Sequence, residues 1–165
     1  MSLESEHTLL ETEKAYIAGF FDGEGSITIA IQKSNPNGAV IVQISNTNKP
    51  VLEWIQSKFG GSIHIKTREN ERQQNSWKLD ICSLMANRFL KTIQPYLKLK
   101  TPQAQLAIEF QKTSHKQPTR HVPHHILQKR RELHNQLLTL NSHKHTRTNQ
   151  NHKPAKTTPP KHTPL

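Results

Sequence analysis

The fold is decided by Ala15-Tyr-Ile-Ala-Gly-Phe-Phe-Asp-Gly-Glu-Gly-Ser-Ile27. Ala15, Gly19 and Gly23 recur at every fourth position, so they share one face of a helix and let a second backbone approach it closely. Because a glycine inside a helix costs about 1 kcal/mol relative to alanine, such a contact is the expected reason for it. Two carboxylates follow where the helix ends. The pattern predicts a helix that combines a helix–helix contact with a catalytic end.

Two pairs of alternating segments follow this helix. Residues 26–33 and 39–45 carry isoleucine or valine at every second position, and residues 35–38 between them have turn chemistry. Residues 62–68 and 77–81 repeat the alternation. A period of two is typical of half-buried strands, so the sequence predicts two hairpins. The residues expected to face inward are Ile27, Ile29, Ile31, Val40, Val42, Ile44, Ile63, Ile65, Trp77, Leu79 and Ile81.

Helices separate and follow the hairpins. Asn48 predicts the start of one that Gly60 ends, Ser83 can cap the next, and Thr101 can cap a fourth. The apolar positions of the later helices are Met85, Phe89, Leu90, Ile93, Leu106, Phe110, Ile126, Leu133, Leu137 and Leu140. We therefore predict an α+β protein with an αββαββα core, a four-stranded antiparallel sheet, helices on one face and additional C-terminal helices.

The other face of this sheet is expected to be polar. Amide and cationic side chains on such a face can contact base edges and phosphates. The outward residues that carry this expectation are Thr28, Gln32, Gln43, His64, Lys66, Arg68 and Lys78.

The composition favours a nucleic-acid partner. The formal net charge is +11 over 165 residues, and residues 141–165 contribute five of those charges with only two apolar side chains. We expect this segment to be a disordered basic tail, residues 14–140 to form one domain, and residues 1–13 to form an N-terminal arm. Without the tail the charge is still +6. Phosphate is therefore the expected partner.

The sequence also argues against several classes of protein. Cys82 is the only cysteine, which excludes an intramolecular disulfide and a cysteine-rich zinc site, and we expect it to be a small buried strand residue. No stretch approaches the roughly 20 apolar residues that a membrane span requires. The N-terminal segment is acidic and resembles neither a signal peptide nor a transit peptide. We expect no membrane partner and no secretion.

Residues 17–25, Ile-Ala-Gly-Phe-Phe-Asp-Gly-Glu-Gly, resemble the LAGLIDADG homing endonuclease family, in its single-motif, homodimeric type encoded by group I introns. The resemblance implies that Glu24 is the metal ligand, with the backbone carbonyl of Gly23 beside it, and that Asp22 is structural. We expect Mg²⁺, and Mn²⁺ or Ca²⁺ could occupy the same oxygen ligands. Glutamate replaces the aspartate of the family name, which lengthens the side chain by one methylene and keeps oxygen ligation.

Residues 94–104 carry a second resemblance, to a proline–aromatic–Leu-Lys-Leu-Lys segment of the same family. It implies that Lys100 is the active-site lysine, whose ammonium can stabilise charge that develops at phosphorus. The same segment makes Lys98 a predicted contact to a DNA phosphate. The family also has a polar residue at the end of the second strand and a basic residue shortly after it, and the nearest matches are Asn46 and Lys49. Lys100, Asn46 and Lys49 are therefore catalytic candidates beside Glu24.

A single copy of the motif predicts two copies of the chain. Cutting duplex DNA requires chemistry on two antiparallel strands, and a two-fold homodimer supplies the second site. We expect a pseudo-palindromic target of roughly 18–20 base pairs. The predicted dimer interface consists of Ala15, Ala18, Gly19, Asp22 and Gly23. The predicted DNA contacts are Thr28, Ala30, Gln32, Ser34, Ile41, Gln43, His64, Lys66, Arg68, Lys78 and Lys98.

The function implied by the resemblance is Mg²⁺-dependent, site-specific cleavage of double-stranded DNA that leaves staggered ends and promotes intron mobility. The implied location is a chloroplast or mitochondrion that encodes the chain, or the cytoplasm of a prokaryote. An RNA maturase, or a non-catalytic nucleic-acid-binding protein on the same scaffold, is the alternative. A histidine-based nuclease is disfavoured, because its candidate ligands at 124–125 and 143–145 have no cysteine partners nearby.

Overall fold

The structure is a computed structural model that describes residues 9–32, 35–66, 75–113 and 122–142. The elements follow one another in the predicted order. The helices are α1 (Glu11–Glu24), α2 (Lys49–Phe59), α3 (Ser83–Ile93), α4 (Thr101–Lys112) and α5 (His124–Ser142), with a 3-10 turn at Gln94–Tyr96 before α4, and the strands are β1 (Gly25–Gln32), β2 (Asn35–Asn46), β3 (Ser62–Lys66) and β4 (Ser76–Cys82). Helix α1 begins inside the predicted N-terminal arm. The predicted tail beyond residue 142 lies outside the described residues.

The four strands form one antiparallel sheet in the order β1-β2-β4-β3. Gly25 at the start of β1 pairs with Ile44 near the end of β2, and Gln43 pairs with Asp80 on β4. Apolar side chains on one face of the sheet pack against the helices in a single core. The predicted α+β class and the one-sided burial of the sheet are confirmed. The largest fully buried apolar side chains include Phe21, Phe89, Phe110, Ile17, Leu52, Ile55, Leu79 and Leu90.

The β1–β2 hairpin differs from its prediction. The segment 35–38, predicted as a turn, belongs to β2, and the pairing shifts in register between Ala30 and Gln32. Gly38 has φ +65°, and a Cβ there would lie 2.8 Å from Cζ of Phe110. Glycine is therefore required at this irregular part of the hairpin, because it adopts the positive φ and leaves room for Phe110 of α4.

A buried arginine ties α5 to this hairpin. Arg130 is 1% exposed, and its guanidinium donates to the hydroxyl of Thr113 at 3.0 Å and to Oδ1 of Asn37 at 2.8 Å. It donates also to the carbonyl of Thr113. Burial lowers the pKa of Arg130. These hydrogen bonds replace the water that the guanidinium loses, and they fix the end of α4 and the β2 segment to each other.

Several local predictions are wrong for reasons of tertiary packing. Ile65, predicted to face inward, is 49% exposed, because β3 is an edge strand. Met85 is 44% exposed. Ser83 does not cap α3 but begins it with φ +53°, and Thr101 is the first residue of α4 instead of its cap, donating to the carbonyl of Leu97. Cys82 is only half-buried. Helix α2 agrees with its prediction, including its cap on Asn48.

Candidate active site and nucleic-acid interface

The candidate active site begins where α1 runs directly into β1. Glu24 is the last residue of the helix and is exposed, and Gly25 is the first residue of the strand. A Cβ on Gly25 would lie 2.0 Å from the ring of Phe21 and 2.7 Å from its carbonyl. Only glycine fits there without displacing the buried ring. The packing of Phe21 therefore fixes where the helix ends and where the carboxylate of Glu24 leaves it.

Asp22 fixes the loop that precedes α4. Its carboxylate accepts hydrogen bonds from the backbone N–H groups of Lys98 at 2.7 Å, Leu99 at 3.1 Å and Lys100 at 3.0 Å. Burial raises the pKa of Asp22, but these three hydrogen bonds and the charge of Lys100 outweigh it, so the pKa lies below the ordinary value of 3.8. The structural role predicted for Asp22 consists of this contact between α1 and the loop.

The side chain of Lys100 lies in the cleft that this contact creates. Lys100 is 7% exposed, its Nζ donates to the backbone carbonyl of Asp22, and it lies 5.8 Å from the centre of the Phe21 ring. The cleft has a volume of about 390 Å³. It is lined by Asp22, Gly23, Gly25, Ser26, Lys100, Gln103 and Asn141. The structure thus brings the predicted lysine to the helix end that carries the predicted metal ligand.

Two lining residues, Gln103 and Asn141, were missed at the level of sequence. Gln103 is 5% exposed, and its Oε1 has no hydrogen-bond partner among the described residues. Asn141 donates to the carbonyl of Ile27 at 3.1 Å, which ties the end of α5 to β1. Gln103 lies inside the segment 94–104 that carries the second resemblance, but no role was predicted for it, whereas Asn141 belongs to no motif. Both reach the cleft because α4 and α5 pack beside the start of β1.

The oxygen atoms near the cleft suit a hard divalent cation. Glu24 offers an exposed carboxylate, Gly23 a backbone carbonyl at the helix end, and Gln103 an amide oxygen to which no described residue donates a hydrogen bond. No group of three or more His, Cys, Asp or Glu side chains that could hold a metal occurs in the described part of the chain. The donors therefore fit Mg²⁺, which typically takes one or two carboxylates and completes its shell with substrate phosphates and water.

Two predicted catalytic residues do not line the cleft. The Oδ1 of Asn46 accepts from the backbone N–H of Asn48 at 2.8 Å. Lys49 pairs with Glu53 at 2.8 Å and lies 4.6 Å from the centre of the Trp77 ring. Asn46 is nevertheless at the end of β2 that pairs with the start of β1. Asn46 and Lys49 therefore lie at the same end of the β1–β2 pair as Glu24, but they are not among the residues that line the cleft with Lys100.

The face of the sheet away from the helices carries most of the predicted DNA contacts. Gln32 is the last residue of β1, Ser34 and Arg68 lie outside the described residues, and Lys98 is exposed in the loop before α4. The predicted contacts on this face are Thr28, Ala30, Ile41, Gln43, His64, Lys66 and Lys78. Five of these seven side chains are polar, and two of the five, Lys66 and Lys78, are lysines.

Sequence reasoning did not identify Asp80 on this same face. It accepts from Nε2 of Gln43 at 2.9 Å and lies 3.1 Å from Nζ of Lys78. Burial and the charge of Asp80 raise the pKa of the Cys82 thiol. The alternation of β4 predicts that Asp80 faces outward, but only the strand register reveals which side chains meet it.

Helix α1 has two distinct sides. Ala15, Gly19 and Gly23 are exposed, and a Cβ on either glycine would meet no atom within 4 Å in the part of the chain that the structure describes. Ala18 and Asp22, also predicted in the dimer interface, are only 0% and 9% exposed. They lie on the side of the helix that faces the core, so they belong to the chain's own packing. The exposed small-residue face consists of the other three.

Within the described ranges, no helix combines the length and apolarity needed to cross a bilayer.

The chain is similar to known proteins in sequence and in fold. A family model described as LAGLIDADG endonuclease matches residues 17–114, which is more than half of the chain. The DNA endonuclease I-CreI of Chlamydomonas reinhardtii is 33% identical over 99 residues, or 58% of this chain and 60% of that protein. The match therefore spans less than two thirds of the relative's length.

Solved structures share the fold at lower identity. The homing endonuclease I-CvuI, in complex with its target in the presence of Ca, superposes with a TM-score of 0.62 at 22% identity, covering 78% of this chain and 82% of that one. The LAGLIDADG homing endonuclease I-GzeII, in complex with a DNA target, gives 0.58 at 22% identity, covering 73% of this chain and 43% of that one. From the family match over residues 17–114 and the shared α+β fold, the chain belongs to the LAGLIDADG endonuclease family.

Proposed function

We propose that this protein is a site-specific endonuclease that cuts double-stranded DNA as a homodimer, with Mg²⁺ as its metal. The observation that carries the proposal is the continuity of the chain from Glu24 into β1. The exposed carboxylate of Glu24 is followed at once by a strand whose outward face is polar. A carboxylate and a base-contacting surface are thereby fixed to each other by covalent geometry.

The outward face of the sheet supports DNA as the substrate. A β-ribbon fits the major groove, where amide and cationic side chains discriminate base edges and bind phosphates. His64 and Lys66 are exposed on this face, and Gln43 is partly exposed. I-CreI is described as a DNA endonuclease, and the I-CvuI structure contains its target DNA. The matching substrate here is a duplex of about 20 base pairs.

A bound Mg²⁺ activates water for phosphodiester hydrolysis and offsets charge on the leaving oxygen. Glu24 and the carbonyl of Gly23 would hold the ion. Lys100 places an ammonium on the wall of the cleft, where it stabilises negative charge on the scissile phosphate. Asp22 holds the backbone of the loop that carries this lysine. Its three hydrogen bonds keep the lysine beside the helix end during the reaction.

The homodimer is supported by the two glycines of α1. Since nothing in the described chain lies near a Cβ at Gly19 or Gly23, the chain's own packing does not require glycine there. Close approach of a second copy of α1 does require it. A crossing of two such helices brings two copies of Glu24 near one another, one for each DNA strand. We extend the proposal to intron mobility in an organelle or a prokaryote.

A cleavage assay tests this proposal. The purified protein is incubated with duplex DNA that spans the uninterrupted form of its host gene, with Mg²⁺ or with EDTA. Double-strand cleavage at one site is expected with Mg²⁺ only. Absence of cleavage together with binding of intron RNA would reject the endonuclease and support the maturase alternative.

The variant Glu24→Gln tests the assigned metal ligand. It should bind target DNA with near-normal affinity and cut it more than about a hundredfold more slowly, since even outer-shell partners of a metal are worth 10- to 100-fold. Glu132→Gln is the matched control, because Glu132 is exposed on α5, where its carboxylate accepts a hydrogen bond from Nε2 of Gln128 at 3.2 Å. It should cut at the wild-type rate. Undiminished cutting by Glu24→Gln would place the metal elsewhere.

A further inference from the structure

Asp80 is an acid on a surface that otherwise suits DNA. It lies on β4, one of the two central strands, and it is the only acidic residue in the described strands. A carboxylate at this place repels phosphates, so its presence calls for a different physical role. Its contacts indicate one.

The carboxylate of Asp80 gathers three side chains of the outward face. Nε2 of Gln43 donates to its Oδ1 at 2.9 Å, in a partly buried position. Its Oδ2 lies 3.1 Å from Nζ of Lys78 and 3.9 Å from Nε2 of His64. The side chain of Asp80 is 20% exposed, so the hydrogen bond to Gln43 is partly shielded from water. Gln43 and Asp80 are also directly paired in the β2–β4 register.

The chemistry of the two groups fixes the orientation of the Gln43 amide. A carboxylate in an ion pair accepts hydrogen bonds and donates none, whereas an amide has one donor end and one acceptor end. The NH₂ group of Gln43 must therefore face Asp80. The reverse orientation would place the oxygen of Gln43 against the oxygen of Asp80. Oε1 of Gln43 is consequently turned away from Asp80, as the acceptor that this side chain offers to a ligand.

We infer that Asp80 is a positioning residue that sets base preference by holding the amide of Gln43 with its acceptor toward the base edge. The inference rests on the proposed DNA-cleaving function. In the major groove, adenine presents its N6 amino group and cytosine its N4 amino group as donors, whereas guanine O6 and thymine O4 are acceptors. Gln43 therefore selects adenine or cytosine over guanine or thymine at the base that it contacts. In a homodimer the symmetry-related position has the same preference.

A binding selection tests this inference. The full chain is mixed with a randomised duplex library in Ca²⁺, the ion present in the I-CvuI complex with its target, and bound DNA is sequenced. The wild-type chain should enrich a pseudo-palindrome in which one symmetric pair of positions prefers A or C. D80N should weaken that preference by roughly tenfold, because an asparagine amide can donate to Oε1 of Gln43 and permit the reverse orientation.

A double-mutant cycle separates positioning from direct contact. Q43A should lose the preference at the same position, and adding D80N to Q43A should change nothing further there. D80S also removes the acceptor-only group and should relax the same position, which keeps the test valid if D80N folds poorly. Thermal unfolding of each variant serves as the check on folding.

Three outcomes overturn the inference. If D80N and D80S keep the wild-type preference while the wild-type chain enriches a target, Asp80 does not orient Gln43. If D80N still shifts the same position in the Q43A background, Asp80 contacts the base itself. If the wild-type chain enriches no sequence, the DNA-binding proposal fails and this inference falls with it.

Discussion

The two sides of helix α1 differ in what their residues require. On the inner side, Phe21 packs against Phe89 in the core and Asp22 binds the loop before α4. On the outer side, no atom of the described residues lies within 4 Å of a Cβ built on Gly19 or Gly23. One helix thus combines positions explained by the chain's own packing with positions that this packing leaves unexplained. The second kind is where a partner is to be sought.

The largest expected effect comes from breaking the inner side at Phe21. Its ring is fully buried, lies 5.2 Å from that of Phe89 in an edge-to-face arrangement, and sets the close approach of Gly25. Phe21→Ala should lower the free energy of unfolding by about 3–5 kcal/mol. Tyr16→Ala is the matched control, since Tyr16 is an aromatic residue on the same helix but 54% exposed. Equal losses in urea unfolding would contradict the distinction between the two sides.

A smaller effect is expected from Asp22→Asn. The substitution turns one acceptor oxygen into a donor, so at least one backbone N–H of the 98–100 loop loses its partner at a cost of about 1–3 kcal/mol. Because the folded pKa of Asp22 lies below 3.8, its contribution is present above that pH and is lost as the pH falls toward the folded pKa. Urea unfolding should therefore show a difference from wild type at pH 7 that shrinks below about pH 4. A difference independent of pH would contradict the assignment.

The smallest effect on chain stability is expected on the outer side. Gly19→Ala removes a helix glycine without a clash inside the chain, so at dilution it should stabilise the monomer by up to about 1 kcal/mol. The same Cβ separates two crossing helices, so sedimentation should show weaker dimerisation. Asn135→Ala, an exposed change in α5 that also raises helix propensity, is the control and should leave dimerisation unchanged. Unaltered dimerisation of Gly19→Ala would move the interface away from α1.

Local patterns were reliable where a residue's neighbours in sequence are also its neighbours in space. The period of two predicted all four strands, and apolar spacing, together with the cap at Asn48, predicted the helices, because these patterns act over about four residues. They failed at Ile65 and Met85, which have the right spacing but are 49% and 44% exposed. They failed also at segment 35–38, which was predicted as a turn but belongs to β2, beside a shift in the pairing register. Packing from other elements decided each case.

The candidate site was predictable to the extent that it is carried by motifs. Glu24 and Lys100 were proposed from the two resembling segments. The cleft between α1 and α4 is lined by Lys100 and by Gly23 and Gly25, the residues on either side of Glu24. Gln103 lies within the second of these segments but no role was predicted for it, and Arg130 lies in neither segment. A buried glutamine or arginine is indistinguishable by sequence from an exposed one, since its burial depends on helices that pack from far along the chain.

The sequence by itself determined the order of the elements, the small-residue face of α1 formed by Ala15, Gly19 and Gly23, and the polar character of one sheet face. These features follow from residue spacing, which the backbone geometry of helices and strands converts directly into faces. Only the tertiary structure decided which polar groups meet: Asp22 with the backbone of residues 98–100, and Gln43 with Asp80. The partners are 76 and 37 residues apart in the two cases. Strand register and helix packing, which depend on the whole core, bring them within hydrogen-bond distance.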